Sequence, residues 1–165
     1  MTQILVVGDS LVGKTNFMYH VTTGTVPINV FRSVSPEYFR PLRDANFIVA
    51  PGQIMDTQLQ RLADGVDGIM VLYNEGSTIM SAKRWLLRLR RLMVGVEKAP
   101  ILVCCHGDVG ASENLNGRLD LLRAYPLAEH TYTSVSRRVG MIDCINRITC
   151  RARREHPSPL AVRAI

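Results

Sequence analysis

Gly8-Asp9-Ser10-Leu11-Val12-Gly13-Lys14-Thr15 is the stretch on which the fold turns. It fits G-x-x-x-x-G-K-[ST] in full, directly after the apolar run Ile4-Leu5-Val6-Val7 and ahead of a segment with helical periodicity. A strand that feeds a glycine-bounded loop and opens a helix is the setting in which this spacing binds phosphate. Each part has a physical task. The glycines let the backbone from Gly8 through Asp9, Ser10, Leu11, Val12 and Gly13 fold around phosphate oxygens, so that N–H groups point inward. The helix N-terminus adds its dipole. Lys14 places a cation on the β- and γ-phosphates, and the Thr15 hydroxyl is a ligand for Mg²⁺. The loop predicts a nucleoside triphosphate without saying which base.

On either side of this loop, short apolar runs alternate with amphipathic stretches, the pattern of an α/β domain. Ile4 to Val7, Gly68 to Tyr73 and Ile101 to Cys105 read as buried strands. Glu37 to Leu42 and Asn46 to Val49 are strand-like around a turn at Arg43-Asp44-Ala45, and Tyr132 to Val135 reads as a short last strand. Helices are predicted from about Lys14 to Thr22, from a cap at Ser77 or Thr78 to Val94, from Asn114 to Tyr125, and from Met141 to about Arg154. Trp85, Leu86, Leu89, Leu92 and Met93 share one face of the second of these; Met141, Ile145 and Ile148 face inward on the last. Residues 23–36 read as loop, and no periodic element is read between Val49 and Gly68. Parallel strands joined by helices predict a mixed sheet covered on both faces.

The bulk properties set limits on partners. At 165 residues the chain is about one domain, with residues 1–156 as its body and 157–165 as a loose tail. Hydrophobic residues are 47% and charged residues 21%, which excludes a disordered or fibrous chain. The net charge is +6, and all basic residues but Lys14, Lys83 and Lys98 are arginines. A positive surface raises nucleic acid and acidic membrane as partners, but no aromatic platform motif accompanies it, so nucleic acid ranks last. Arg151, Arg153 and Arg154 complement the dipole at the end of the last helix. Lys83, Arg84, Arg88, Arg90 and Arg91 lie mostly on the exposed side of the middle helix. Neither cysteine pair, Cys104 with Cys105 or Cys144 with Cys150, has the C-x-x-C spacing of a zinc or redox site. No leader is read at Met1-Thr2-Gln3 and no run approaches the roughly 20 apolar residues of a membrane span. The expectation is a soluble, cytoplasmic monomer.

Later segments complete a pattern. Val49-Ala50-Pro51-Gly52-Gln53 follows one strand, Cys105-His106-Gly107-Asp108 another, and Thr133-Ser134-Val135-Ser136 the last. With the phosphate loop, these resemble the elements of the Ras superfamily of small GTPases, the loop itself being most similar to the Rab type. The resemblance covers about residues 3–154. It implies a P-loop NTPase fold, a Ras-like G domain with a six-stranded, mostly parallel sheet, five helices, and a nucleotide site at the carboxyl ends of the strands. It also implies roles. Gly52 matches the glycine whose N–H contacts the γ-phosphate, and Gln53 the residue that orients the attacking water. Asp108 matches the aspartate that accepts hydrogen bonds from guanine N1 and N2. Ser134 and Val135 match the segment whose backbone N–H meets guanine O6.

The departures matter as much. Val49 stands where the family's Asp-x-x-Gly element carries the aspartate that holds Mg²⁺ through water. Cys105 and His106 replace an asparagine and a lysine, and the lysine of the last element is absent. The Mg²⁺ ligand of switch I is read at Ser33, with Ser35 and then Thr25 as other registers. The expected consequences are weaker Mg²⁺ binding and slower hydrolysis. The chain ends in Ala161-Val162-Arg163-Ala164-Ile165 without a cysteine, and Met1 is followed by Thr2, so neither a prenyl nor a myristoyl anchor is expected. Membranes would be reached through a partner or the basic surface.

The resulting expectation is a guanine-nucleotide switch that binds GTP or GDP with Mg²⁺, hydrolyses GTP slowly, and meets protein regulators or effectors through its switch segments. A pseudo-GTPase, acting as a protein-interaction scaffold or locked in one nucleotide state, is the alternative. A small P-loop kinase is a third class, disfavoured by Pro51-Gly52-Gln53, Asp108 and the lack of an arginine-rich lid.

Overall fold

The apolar runs become the central strands of one sheet. A computed structural model describes residues 1–10, 12–25, 34–74, 78–92, 100–106, 128–133 and 140–155. In chain order the elements are β1 (Thr2–Val7), α1 (Lys14–Thr23), β2 (Glu37–Leu42), β3 (Ala45–Val49), α2 (Asp56–Asp64), β4 (Gly68–Tyr73), α3 (Thr78–Leu92), β5 (Ile101–His106), β6 (Ala128–Thr133) and α4 (Met141–Glu155). The six strands form a single sheet in the order β2-β3-β1-β4-β5-β6. All neighbours run parallel except β2 and β3, which are antiparallel.

Strands buried on both sides must be apolar at every position, and their alternation divides the core in two. Leu5, Val7, Ile69, Val71, Ile101 and Val103 pack with Leu59 and Ala63 of α2 and with Trp85, Leu86 and Leu89 of α3. Ile4, Val6, Met70, Leu72, Leu102 and Cys104 pack with Phe17 and Met18 of α1 and with Met141, Ile145, Ile148 and Ala152 of α4. Helices therefore cover both faces, as expected. On the second face the approach is close: a Cβ on Gly68 would meet Ile4 Cδ1 at 3.0 Å, Ala152 Cβ at 3.3 Å and Ile148 Cδ1 at 3.4 Å.

One expectation needs correction, and one unread segment gains an element. The segment between Val49 and Gly68 contains a helix, α2. Its apolar stripe is short, Leu59 and Ala63 buried with Leu62 beside them, and the rest is polar, so the periodicity is thin. Asp56 in the first turn and Gly65 after the last residue were its usable signals. The last strand is Ala128–Thr133, ahead of the predicted Tyr132–Val135. Ala128-Glu129-His130-Thr131 contains no apolar run; parallel pairing with β5 along Ile101 to His106 makes it a strand. The predicted helix from Asn114 to Tyr125, the tail from residue 157, Ser77 and Met93 lie outside the described residues. Among the described residues no helix is long and apolar enough to cross a membrane.

Candidate phosphate-binding site

β1 lies between β3 and β4, so the chain leaves β1 to one side of the sheet and returns on the other. Such a reversal opens a crevice at the carboxyl ends of the strands. The loop from Gly8 to Gly13 leaves β1 at that point and enters α1. Gly13 has φ 90° and ψ 24°, a left-handed conformation that a Cβ disfavours. Its carbonyl accepts the Phe17 N–H at 2.9 Å, which starts the helix. The first-turn N–H groups of a helix lack intrahelical acceptors, and here that turn follows the loop at the carboxyl end of β1.

Lys14 is buried, with 7% of its surface exposed. Its Nζ donates to the carbonyl oxygens of Gly8 and Asp9, each at 2.8 Å. Burial pushes its ammonium down from 10.5 to about 8, while the charges of Asp9 and Glu37 pull the other way. A desolvated cation wrapped in loop carbonyls has much to gain from an anion placed in the same loop.

The Asp9 carboxylate faces α3. It accepts hydrogen bonds from Ser81 Oγ at 2.6 Å and Trp85 Nε1 at 2.9 Å, with Arg84 at 3.5 Å. Burial raises this carboxyl, but the Ser81 and Trp85 hydrogen bonds and the Arg84 charge outweigh it and hold the group below its ordinary value. Ser81 and Trp85 are buried and four residues apart, hence on one side of α3. Sequence reasoning placed Trp85 in the core and missed its second task.

The loop after β3 closes on the same region. Ala50 N–H donates to Val6 O at 2.9 Å, carrying the strand pairing past β3. Gly52 then abuts Ser10: a Cβ there would run into Ser10 N and would stand 2.5 Å from Ser10 Oγ and 2.7 Å from Ser10 Cα. Only glycine fits. Two matched elements, 8–15 and 49–53, thus meet in space. Gln53 follows in an exposed turn, and Val49 is fully buried in the core under α1. The Thr15 hydroxyl donates to Glu37 Oε1 at 2.8 Å. Glu37 opens β2 and was not singled out from the sequence, because a lone acidic residue at a strand start carries no motif.

Leu11, Ser33, Asp108, Ser134 and Val135 lie outside the described residues. Of the other switch I registers, Ser35 is exposed, and Thr25 pairs with Thr23, their hydroxyl oxygens 3.0 Å apart. Cys105 and His106 end β5, which brings the start of the expected base-reading segment to the carboxyl edge of the sheet. Cys104 is fully buried, with Sγ 3.4 Å from Thr133 Oγ1. Among the described residues no three His, Cys, Asp or Glu side chains cluster as a metal cage. Thr15 and Glu37 are hard oxygen donors that suit Mg²⁺, an ion usually held by one or two carboxylates together with phosphate and water. No protein-family model matches the chain, and no curated protein matches it.

Proposed function

We propose that the chain is a Ras-like, P-loop nucleotide-binding switch, Rab-like in its loop, which takes GTP or GDP with Mg²⁺ and hydrolyses GTP slowly. The observation that carries this is the placement of the full Gly8–Thr15 motif between β1 and α1, with Gly52 seated on Ser10. Backbone N–H groups of the loop and of the first turn of α1 would bind phosphate oxygens. Lys14 would exchange the carbonyls of Gly8 and Asp9 for the β- and γ-phosphates. Thr15 would hold Mg²⁺, with Ser33 as its switch I counterpart; the ion supplies charge neutralisation between the phosphates. Gln53, exposed beside the Gly52 contact, would orient the attacking water. Asp108, Ser134 and Val135 would read guanine, a role that rests on sequence alone. Protein partners would act through the switch segments of a monomeric, cytoplasmic chain.

A second reading, a pseudo-GTPase scaffold locked in one state, draws on Val49. Its buried side chain accepts no hydrogen bond where the resemblance expects a metal-holding carboxylate.

The test is direct. The chain is purified with Mg²⁺, its bound nucleotide extracted, and the extract identified by chromatography. GDP or GTP is expected with the natural chain and is lost in Lys14→Ala. Thermal melting with excess GTP should show a matching upward shift, since a ligand at 100 times its Kd stabilises by about 2.7 kcal/mol. No nucleotide and no shift would leave the scaffold; bound ATP would point to a kinase.

A further inference from the structure

Val49 cannot hold a cation, yet a carboxylate stands directly across from it. Glu37 of β2 is the antiparallel partner of Val49 in β3. Residues opposite one another in such a pair project to the same face of the sheet. Val49 faces α1 and packs in the same core as Phe17 and Met18. Glu37 accordingly reaches the start of α1, where its Oε1 accepts the Thr15 hydroxyl hydrogen at 2.8 Å. Its charge also acts on the Lys14 ammonium. One strand start and one helix start therefore bring an acid, a hydroxyl and a cation together beside the phosphate loop.

We propose that Glu37 is the acidic group of a divalent-cation site centred on Thr15, supplying from β2 the carboxylate that β3 lacks at Val49. The proposal rests on the nucleotide site described under Proposed function, because phosphate oxygens and water must complete the coordination. Mg²⁺ dehydrates reluctantly and keeps several waters, so one protein hydroxyl and one carboxylate are a sufficient protein share. In that role the Thr15 hydroxyl would meet the cation through its oxygen while its hydrogen is donated to Glu37. The Glu37 carboxylate would also take a hydrogen bond from a metal-held water, the task of an outer-shell carboxylate. The loss expected from Val49 is then offset across the strand pair.

The experiment uses the full chain and its Glu37→Gln and Glu37→Asp variants. Affinity for a fluorescent GDP analogue is measured in EDTA and in Mg²⁺, and Mn²⁺ binding to the GDP-loaded chains is followed by electron paramagnetic resonance. We expect Mg²⁺ to tighten GDP binding to the natural chain. Glu37→Gln should weaken Mn²⁺ binding by about 10- to 100-fold, the usual loss for an outer-shell carboxylate, and remove most of the Mg²⁺ effect. Its loss of GDP affinity should be clearly smaller in EDTA than in Mg²⁺. Glu37→Asp should fall between the two, and it carries the test if Glu37→Gln melts early. Unchanged Mn²⁺ affinity in Glu37→Gln overturns the proposal. So does an equal loss of GDP with and without Mg²⁺, which would make Glu37 a support for Lys14. A natural chain that binds GDP with no Mg²⁺ effect overturns it while sparing the nucleotide site. No GDP binding in either buffer removes that site, and the proposal with it.

Discussion

Lys14 sits in the folded chain with little water around it, and its ammonium is held near 8 rather than 10.5. Below pH 8 both folded and unfolded chains carry the proton, so the full penalty for burying the charge is present. Between pH 8 and 10.5 the unfolded chain binds more protons than the folded one, and stability must rise with pH on account of this group. Above 10.5 the contribution is constant. Urea unfolding of the ligand-free chain between pH 7 and 10 should therefore show a rise that Lys14→Met lacks, with Lys14→Met the more stable protein at pH 7. Equal pH slopes in the two chains would contradict the shift. The placement of Lys14 and Thr15 at the start of α1 was legible because the motif is contiguous. The partners of Asp9 were not, since Ser81 and Trp85 lie 72 and 76 residues away and only the docking of α3 brings them in.

Elements were legible where burial made the sequence uniform. β4, buried at all six positions, and β1 stand out as apolar runs, and α3 and α4 as stripes. α2 and β6 did not, because neighbours rather than their own composition decide them. Asp56 at the start of α2 takes Arg88 at 2.7 Å and Arg91 at 2.8 Å from α3, so part of the basic face of α3 is a brace between helices. The loop joining β3 to α2 is held by the fit of Gly52 to Ser10. Gly52→Ala forces backbone apart, and overpacking of this kind costs about 1–3 kcal/mol. We expect lower urea stability together with weaker nucleotide binding. A Gly52→Ala chain with both properties intact would show that the two loops need not touch.

The described residues form one sheet with a half-core on each side, and each half depends on the other for its backing. Leu89 belongs to one half and Ile148 to the other, and both are fully buried. Replacing either by alanine should cost about 2–5 kcal/mol. The two losses should add, since the residues lie in separate core clusters, and unfolding should remain a single transition by circular dichroism and fluorescence alike. Two separated transitions in either variant would mean that the halves melt independently. At this scale the α/β class and the covered faces could be read from alternation alone. The reversal of strand order at β1 could not, because strand order is a property of pairing.

Trp85 is the chain's one tryptophan, and its indole N–H is donated to the carboxylate of Asp9, in the loop between β1 and α1. Indole emission depends on that hydrogen bond and on the nearby guanidinium of Arg88, 5.1 Å from the ring centroid. The protein thus carries its own optical gauge of the loop: any rearrangement of Asp9 alters the colour or lifetime of light from a single known position, without a label.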